Sequence, residues 1–415
     1  MGLIKSWVES ANAPDCPFPL NNLPYGVFSQ GGGAQRLGVA IGDQILDLHP
    51  LASALGVSAE LLSDPRGWNG VMEAGPKVWK AFRAALQDLL KDGAENQGDT
   101  ARHLIPQTGA TLHMPFTVAE YTDFYAGRHH ATNVGTMFRG PENALPPNWL
   151  HIPIGYNGRA SSVVVSGTEI RRPWGQLKSP EFETPIFAPS RRFDIELEMG
   201  AIVGQASNGP ISVDQADANI FGYVLLNDWS ARDIQAWEYQ PLGPFQAKAT
   251  ATSISPWIVT TEALAPFRCM TPPREVPLLP HLKDTGPMLY DIDLSVTLRP
   301  QGGQSEEIAE TNYREMYYSS AQQLAHHSTS GCPMRTGDML GSGTISGPAK
   351  RNRGSLLELS WGGKEPFTLK DGTTRSFIED GDTLTLSGAA KGEGFTIGFG
   401  DCTGTILPAN EDPYT

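Results

Sequence analysis

The chain has 415 residues, of which 40% are hydrophobic and 18% charged, and it carries a formal net charge of −14. That length allows two or three domains with a substantial buried core. The acidic balance argues against nucleic acid or an anionic membrane surface as the main partner.

Nothing at the N-terminus has the pattern of a secretory signal, because Lys5 and Glu9 interrupt any apolar core. No apolar run approaches a membrane span. Met1-Gly2-Leu3-Ile4-Lys5-Ser6 fits the short myristoylation pattern, but that pattern is permissive and arises often by chance. The four cysteines, Cys16, Cys269, Cys332 and Cys402, lie far apart with no CxxC pair, which reads as free thiols in a reducing compartment. The expectation is a cytoplasmic protein.

Residues 1–115 mix short β-like runs at 37–41 and 44–48 with one amphipathic helix. Over residues 77–91 an apolar stripe of Val78, Trp79, Phe82, Leu86, Leu89 and Leu90 has helical spacing, and Gly93 is placed to end it. The stretch 105–110, followed by Pro115, reads as a domain boundary. Beyond it glycine is frequent and the apolar runs are short, which predicts a β-rich domain. Strands are expected at 161–166, 254–260, 290–298 and 382–387. Helices are expected from Ser230, through a Ser-x-x-Asp start with Asp233, and over 312–327. The proline-rich stretch 265–287 reads as a long ordered loop.

Three segments could carry chemistry. Residues 121–133 crowd Asp123, Tyr125, Arg128, His129, His130 and Asn133 among apolar neighbours. Adjacent histidines do not point the same way on a helix, so His129 and His130, like His326 and His327, are not expected to serve one metal together. In residues 191–204 acids alternate with apolar residues at the period of a β-strand. Phe193, Ile195, Leu197 and Met199 share one face, and Asp194, Glu196 and Glu198 share the other. On periodicity alone the simpler reading of that acidic face is a solvated edge. The unbroken apolar run 201–203 speaks for a strand covered on both faces, where carboxylates must be protonated, paired or bound to a cation. In residues 225–239 an apolar strand ends in Asp228 and a helix follows. Arg232, Gln235 and Tyr239 then fall on one face, so Asp228 reads either as a cap or as a ligand beside an oxyanion-stabilising pair.

Runs such as Asn148-Trp149-Leu150-His151, Glu196-Leu197-Glu198-Met199 and Pro241-Leu242-Gly243-Pro244-Phe245 resemble the fumarylacetoacetate hydrolase family. So do the stretches 121–133, 155–167, 227–238, 340–347, 357–361 and 398–404, and the resemblance covers essentially the whole chain. It implies a mainly β fold with some α. A small SH3-like barrel over 1–115 would be followed by a β-roll catalytic domain over 116–415, assembled as a homodimer. The implied activity is hydrolysis of a carbon–carbon bond in 4-fumarylacetoacetate to fumarate and acetoacetate, the last step of tyrosine and phenylalanine breakdown.

Carried over position by position, the resemblance places a Ca²⁺ or Mg²⁺ ion on Asp123, Glu196, Glu198 and Asp228. A second cation site falls at Asp228, Lys248 and Thr252, where Lys248 could offer only its backbone carbonyl. His130 matches the general base, and Glu358 the carboxylate that orients it. Arg232, Gln235 and Lys248 match the groups that hold the oxyanion and protonate the carbon leaving group. Tyr125, Arg139, Tyr156, Gln235, Tyr239 and Thr344 match contacts to a small β-diketo acid. Asp194 is not among the matched ligands and is expected to pair with a neighbouring arginine. The chain departs from the family pattern at His129, where Gln is common, and at Thr250 and Ala251, where aromatic and glycine residues are common.

A relative acting on acylpyruvates or oxaloacetate is the alternative. Such chains are generally shorter and lack the N-terminal domain, so the first 115 residues favour the hydrolase of fumarylacetoacetate. A non-catalytic metal-binding or scaffolding protein on the same fold should have lost His130, Glu358 or the Arg232 and Gln235 pair, and all are present.

Overall fold

A computed structural model describes every residue except Met1, Phe182, Pro413 and Thr415. The fold is sheet-rich with short helices, an N-terminal domain preceding a larger one. Among the described residues no helix is long and apolar enough to cross a membrane.

The N-terminal sheet has five antiparallel strands in the order Leu104–Pro106, Gln44–Asp47, Arg36–Ile41, Tyr25–Gln30, Ala110–His113. Strands 36–41 and 44–47 form a hairpin through Gly42, whose φ of +59° suits glycine. The stretch read as a boundary thus supplies both edge strands of this sheet, and the chain leaves it only after His113. The turn signal of Pro106 and Gly109 is met by the single turn Gln107–Gly109, which joins two strands of one sheet. The amphipathic helix spans Pro76–Leu90 and buries Trp79, Phe82, Leu86 and Leu90. It has ended before Gly93, which turns the chain afterwards at φ +78°.

The central sheet runs in the order Gly155–Asn157, Tyr121–Phe124, Met339–Gly341, Leu197–Val203, Ile220–Asp228, Thr252–Ile254, Val163–Val165, with Val259–Thr260 also paired to Ile220–Asp228. Its two faces serve two cores, as the alternation of a pleated strand requires. Leu197, Met199, Ala201 and Val203 pack with Tyr223 and Leu225 in the larger core. That core is closed by a second sheet containing Asp293–Arg299, Thr383–Lys391 and Cys402–Leu407. Ile202, Phe221, Val224 and Leu226 turn the other way, into one core with Tyr25, Trp68, Trp79 and Phe82 of the N-terminal domain.

Several expected elements are cut differently. The acidic strand is broken into Phe193–Asp194 and Leu197–Val203, and residues 193–203 are buried throughout, so the solvated face does not exist. The run 254–260 becomes Thr252–Ile254 and Val259–Thr260, interrupted at Pro256, which has no N–H to give a ladder. The run 290–298 splits into Leu289–Tyr290 and Asp293–Arg299. The helix expected over 312–327 is a strand to Asn312, a single turn Tyr313–Glu315 and a helix only from Ser320 to Ser328. The helix expected from Ser230 begins at Arg232 instead. Ser230 and Ala231 are spent on a bridge to Phe193–Asp194, and Asp233 accepts from Ser190 and the Arg191 N–H. Residues 265–287 are held as an ordered loop by two short turns and the buried Leu278 and Leu282.

Candidate metal centre and active site

The register of the central sheet gathers the acids. Asp123 pairs with Gly341, Gly341 with Gly200, Glu198 with Leu226, and Asp228 with Thr252, so residues far apart in sequence meet at one end of the sheet. Oxygens of Asp123, Glu196, Glu198 and Asp228 lie within 4.8 Å of one another, and all four residues are buried. Gly341 opens the space between them, since a Cβ there would stand 2.7 Å from Asp123 Oδ1 and 3.0 Å from Glu198 Oε2.

Positive charge covers only part of this cluster. Lys248 Nζ lies 2.5 Å from Glu196 Oε2 and 2.6 Å from Asp228 Oδ2, and an Arg232 Nη lies 2.8 Å from Glu196 Oε1. Burial alone would raise the Glu196 carboxyl, but Lys248 and Arg232 outweigh it and hold it well below the usual carboxylate range. Burial works against the Lys248 charge as well, and Asp228 and Glu196 overcome it, so the ammonium keeps its proton. The other three acids go the opposite way. Burial first, then neighbouring carboxylates, raises Asp123, Glu198 and Asp228.

One oxygen of each of these three acids is buried without a hydrogen-bond partner: Asp123 Oδ1, Glu198 Oε1 and Asp228 Oδ1. Their second oxygens are satisfied. The Tyr156 hydroxyl gives its one proton to Asp123 Oδ2 at 2.7 Å and stands 3.1 Å from Asp228 Oδ2, which accepts from Lys248, and the Gly343 N–H donates to Glu198 Oε2 at 2.9 Å. Three orphaned oxygens with raised affinity for protons, in an all-oxygen donor set, fit a hard divalent cation. Thr252 Oγ1, beside Asp228, is likewise buried and unpartnered.

The second half of the site lies on the helix Arg128–Arg139. His130 is buried, with Nδ1 2.6 Å from Glu358 Oε2 and Nε2 3.8 Å from Glu196 Oε1. Glu358 sits in the turn Leu356–Leu359, capped by Ser355. It also accepts from Asn133 at 2.8 Å and from the Ser346 and Ser355 hydroxyls at 2.9 Å each. Burial would raise it, but His130 and these donors keep it ionised, below its ordinary value. An ionised carboxylate can only accept, so His130 Nδ1 carries the proton shared with Glu358, and Nε2 is the nitrogen that faces Glu196. His129 turns away to Glu315, 3.5 Å distant.

A cavity of about 350 Å³ joins the two halves. His130, Glu196, Asp123, Arg232, Gln235 and Lys248 reach it, and Val134, Phe138, Ile154 and Leu242 give it an apolar wall. Tyr125, Arg139, Tyr156, Tyr239 and Thr344 also line it, whereas Glu198, Asp228 and Thr252 do not. Gln235 Oε1 accepts from Arg232 at 3.1 Å. Arg139 is more engaged than its expected role suggests. Its Nε and Nη2 already donate to the carbonyls of Asn143 and Ala144, at 3.1 and 2.7 Å, which leaves Nη1 for a ligand.

Some of the site escaped sequence reasoning. Ser346, Ser355, Gly341 and the Gly343 N–H carry no sequence signal of their own. Asn133 had one, lying three residues after His130 on the same helical face.

Residues 21–115 match the family model for the fumarylacetoacetase N-terminal domain, and residues 120–407 the model for the fumarylacetoacetate hydrolase C-terminal domain. The chain belongs to the fumarylacetoacetate hydrolase family. Among similar relatives, the fumarylacetoacetase of Homo sapiens is 49% identical over 410 residues, covering 96% of this chain and 98% of the relative. Those of Dictyostelium discoideum and Arabidopsis thaliana are 47% and 46% identical, each covering 99% of this chain and 100% of the relative. The fold is shared with solved members of this family and its neighbours. A fumarylacetoacetate hydrolase from Exiguobacterium antarcticum aligns with a TM-score of 0.52 at 17% identity, over 93% of this chain and 99% of that one. A maleylpyruvate hydrolase from Sphingobium aligns at 0.51 and 16%, over 93% and 100%.

Proposed function

We propose that the chain is a fumarylacetoacetase, hydrolysing a carbon–carbon bond of 4-fumarylacetoacetate to fumarate and acetoacetate at the end of tyrosine and phenylalanine breakdown. The observation that carries this reading is a cavity lined at once by His130, which Glu358 orients, and by Asp123 and Glu196, two members of a buried four-carboxylate cluster. Near-full-length similarity to fumarylacetoacetases supports the substrate. So does the match of residues 21–115 to their N-terminal model, against a relative acting on acylpyruvates or oxaloacetate.

Asp123, Glu196, Glu198 and Asp228 would hold Ca²⁺ or Mg²⁺, with Asp228, Thr252 and the Lys248 carbonyl as a second set. A bound divalent cation supplies Lewis acidity toward the two oxygens of a β-diketone. The chain does the rest. His130 Nε2 takes a proton from water as the water oxygen bonds to the carbonyl carbon, and Glu358 stabilises the imidazolium that results. Arg232 and Gln235 hold the tetrahedral oxyanion. As the carbon–carbon bond breaks, its electron pair leaves with the acetoacetate carbon, which is protonated with the help of Lys248. Tyr125, Arg139, Tyr156, Tyr239 and Thr344 orient the substrate. A homodimer in the cytoplasm completes the reading, and the free state of all four cysteines fits a reducing compartment.

The test is a panel of β-diketo acids with and without added Ca²⁺ or Mg²⁺. Fumarylacetoacetate should be cleaved, and chelators should abolish cleavage. His130→Ala should lower kcat by about 10²–10⁴-fold while calorimetry still finds the cation bound. Full turnover in that variant would refute the assigned base, and an enzyme indifferent to chelators would remove the cation.

A further inference from the structure

We propose that Asp194 is a positioning residue that ties Arg232 and the turn carrying Glu358 to a single buried carboxylate. This rests on the proposed function for the roles of those two residues. Asp194 is fully buried, and both of its oxygens are saturated. Oδ1 accepts the N–H groups of Ile195 and Leu356, each at 2.8 Å. Oδ2 accepts Arg232 Nε at 2.8 Å and the Leu357 N–H at 3.0 Å. One oxygen atom therefore touches both the oxyanion-holding guanidinium and the residue immediately before Glu358.

The geometry explains why this carboxylate does not join its neighbours in the acidic run. The strand breaks after Asp194, and the pairing of Asp194 with Ser230 brings it to the start of the helix Arg232–Glu238. From there Asp194 fixes the inner side of Arg232, while the outer nitrogens reach Glu196 at 2.8 Å and Gln235 at 3.1 Å. Leu356 and Leu357 open the helical turn that presents Glu358, and their amides have no intrahelical acceptor. Asp194 supplies that acceptor. It does not line the cavity, so it acts only through Arg232 and Glu358. Those two groups work on opposite ends of one reaction and must keep their spacing, since a displacement of about 1 Å can cost about 10²-fold in rate.

The experiment is a double-mutant cycle on kcat. Asp194→Asn, which preserves shape, should lower kcat by about 10²-fold, with KM and cation affinity changed less than about threefold. In a Glu358→Gln background the same substitution should cost only about tenfold, because one of the two groups it positions is already gone while Arg232 remains. A full, multiplicative loss in that background would overturn the proposal, as would wild-type kcat in Asp194→Asn. Should that variant not fold, amide hydrogen exchange of Arg232→Gln gives the answer. The Leu356 and Leu357 amides should exchange at least about tenfold faster while that of Leu340, in the central sheet, is unchanged. Unchanged exchange at Leu356 and Leu357 overturns the shared anchor. Full turnover in both Arg232→Gln and Glu358→Gln would sink the functional reading itself. Lost turnover in both with no coupling to Asp194 sinks only the positioning role.

Discussion

Gly341 contributes no side chain to the site, yet it sets the room in which the carboxylates meet. A methyl group there would press on Asp123 Oδ1 at 2.7 Å and on Glu198 Oε2 at 3.0 Å, and the carboxylates would have to part. Gly341→Ala should therefore weaken Ca²⁺ binding to chelator-treated protein by about tenfold or more, equivalent to about 1.4 kcal/mol, in a calorimetric titration. Unchanged affinity would show that the cation sits elsewhere. Such a residue is invisible to a sequence pattern, because it matters by what it lacks. Glu196 and Glu198 stand out by their alternation, although periodicity alone reads that face as a solvated edge. Asp228 is already a ligand candidate from its own segment, at a strand end beside Arg232 and Gln235, whereas Asp123 becomes one only through the family resemblance, because strand order alone brings the two to the same point. Asp194 shows the limit of ideal periodicity: it belongs to the same face on paper, and a break of two residues hands it to Arg232 instead.

At the level of the element, the same local motif succeeds in one place and fails in another. Ser319 and Gln322 form a reciprocal capping box that opens the helix Ser320–Ser328, in a segment read as already helical from residue 312. Ser230 and Asp233 have similar spacing and form none, because a cross-strand bridge and an acceptor role toward Ser190 claim them first. Helical spacing of Tyr313, Met316 and Tyr317 does not make a helix there. Those side chains are buried in the large core from a single capped turn, with Asn312 accepting the Arg314 N–H. The cap that does form predicts its own cost. Ser319→Ala should lose about 1 kcal/mol of stability, seen as a lower urea midpoint at unchanged slope, with turnover unaffected. A loss of turnover without a shift in the midpoint would contradict a purely local role.

Across the whole molecule, the N-terminal domain is less separable than its own sheet suggests. Phe221 of the central sheet lies 5.0 Å from the Trp79 ring in an edge contact and 5.7 Å from Tyr25, so both domains share one aromatic cluster. Trp257 closes the same junction against Gly26, where a Cβ would come within 2.5 Å of the indole. Ile202, Phe221, Val224 and Leu226 are all fully buried by this arrangement. At about 1.5–3 kcal/mol for each large side chain, uncovering four of them costs about 6–12 kcal/mol. That is comparable with the whole stability of a typical protein, about 5–15 kcal/mol. Along the same face of these strands, four residues before Ile202 and two after Leu226, stand Glu198 and Asp228, so a disturbance of the junction reaches the candidate cation site through the strands themselves. A fragment of residues 116–415 alone should consequently be insoluble or inactive. The full chain should unfold in one calorimetric transition that coincides with the loss of tryptophan fluorescence and of far-ultraviolet ellipticity. Two separated transitions, or a soluble fragment that still turns over substrate, would show instead that the larger domain is stable without its partner and that the first 115 residues are dispensable to the site.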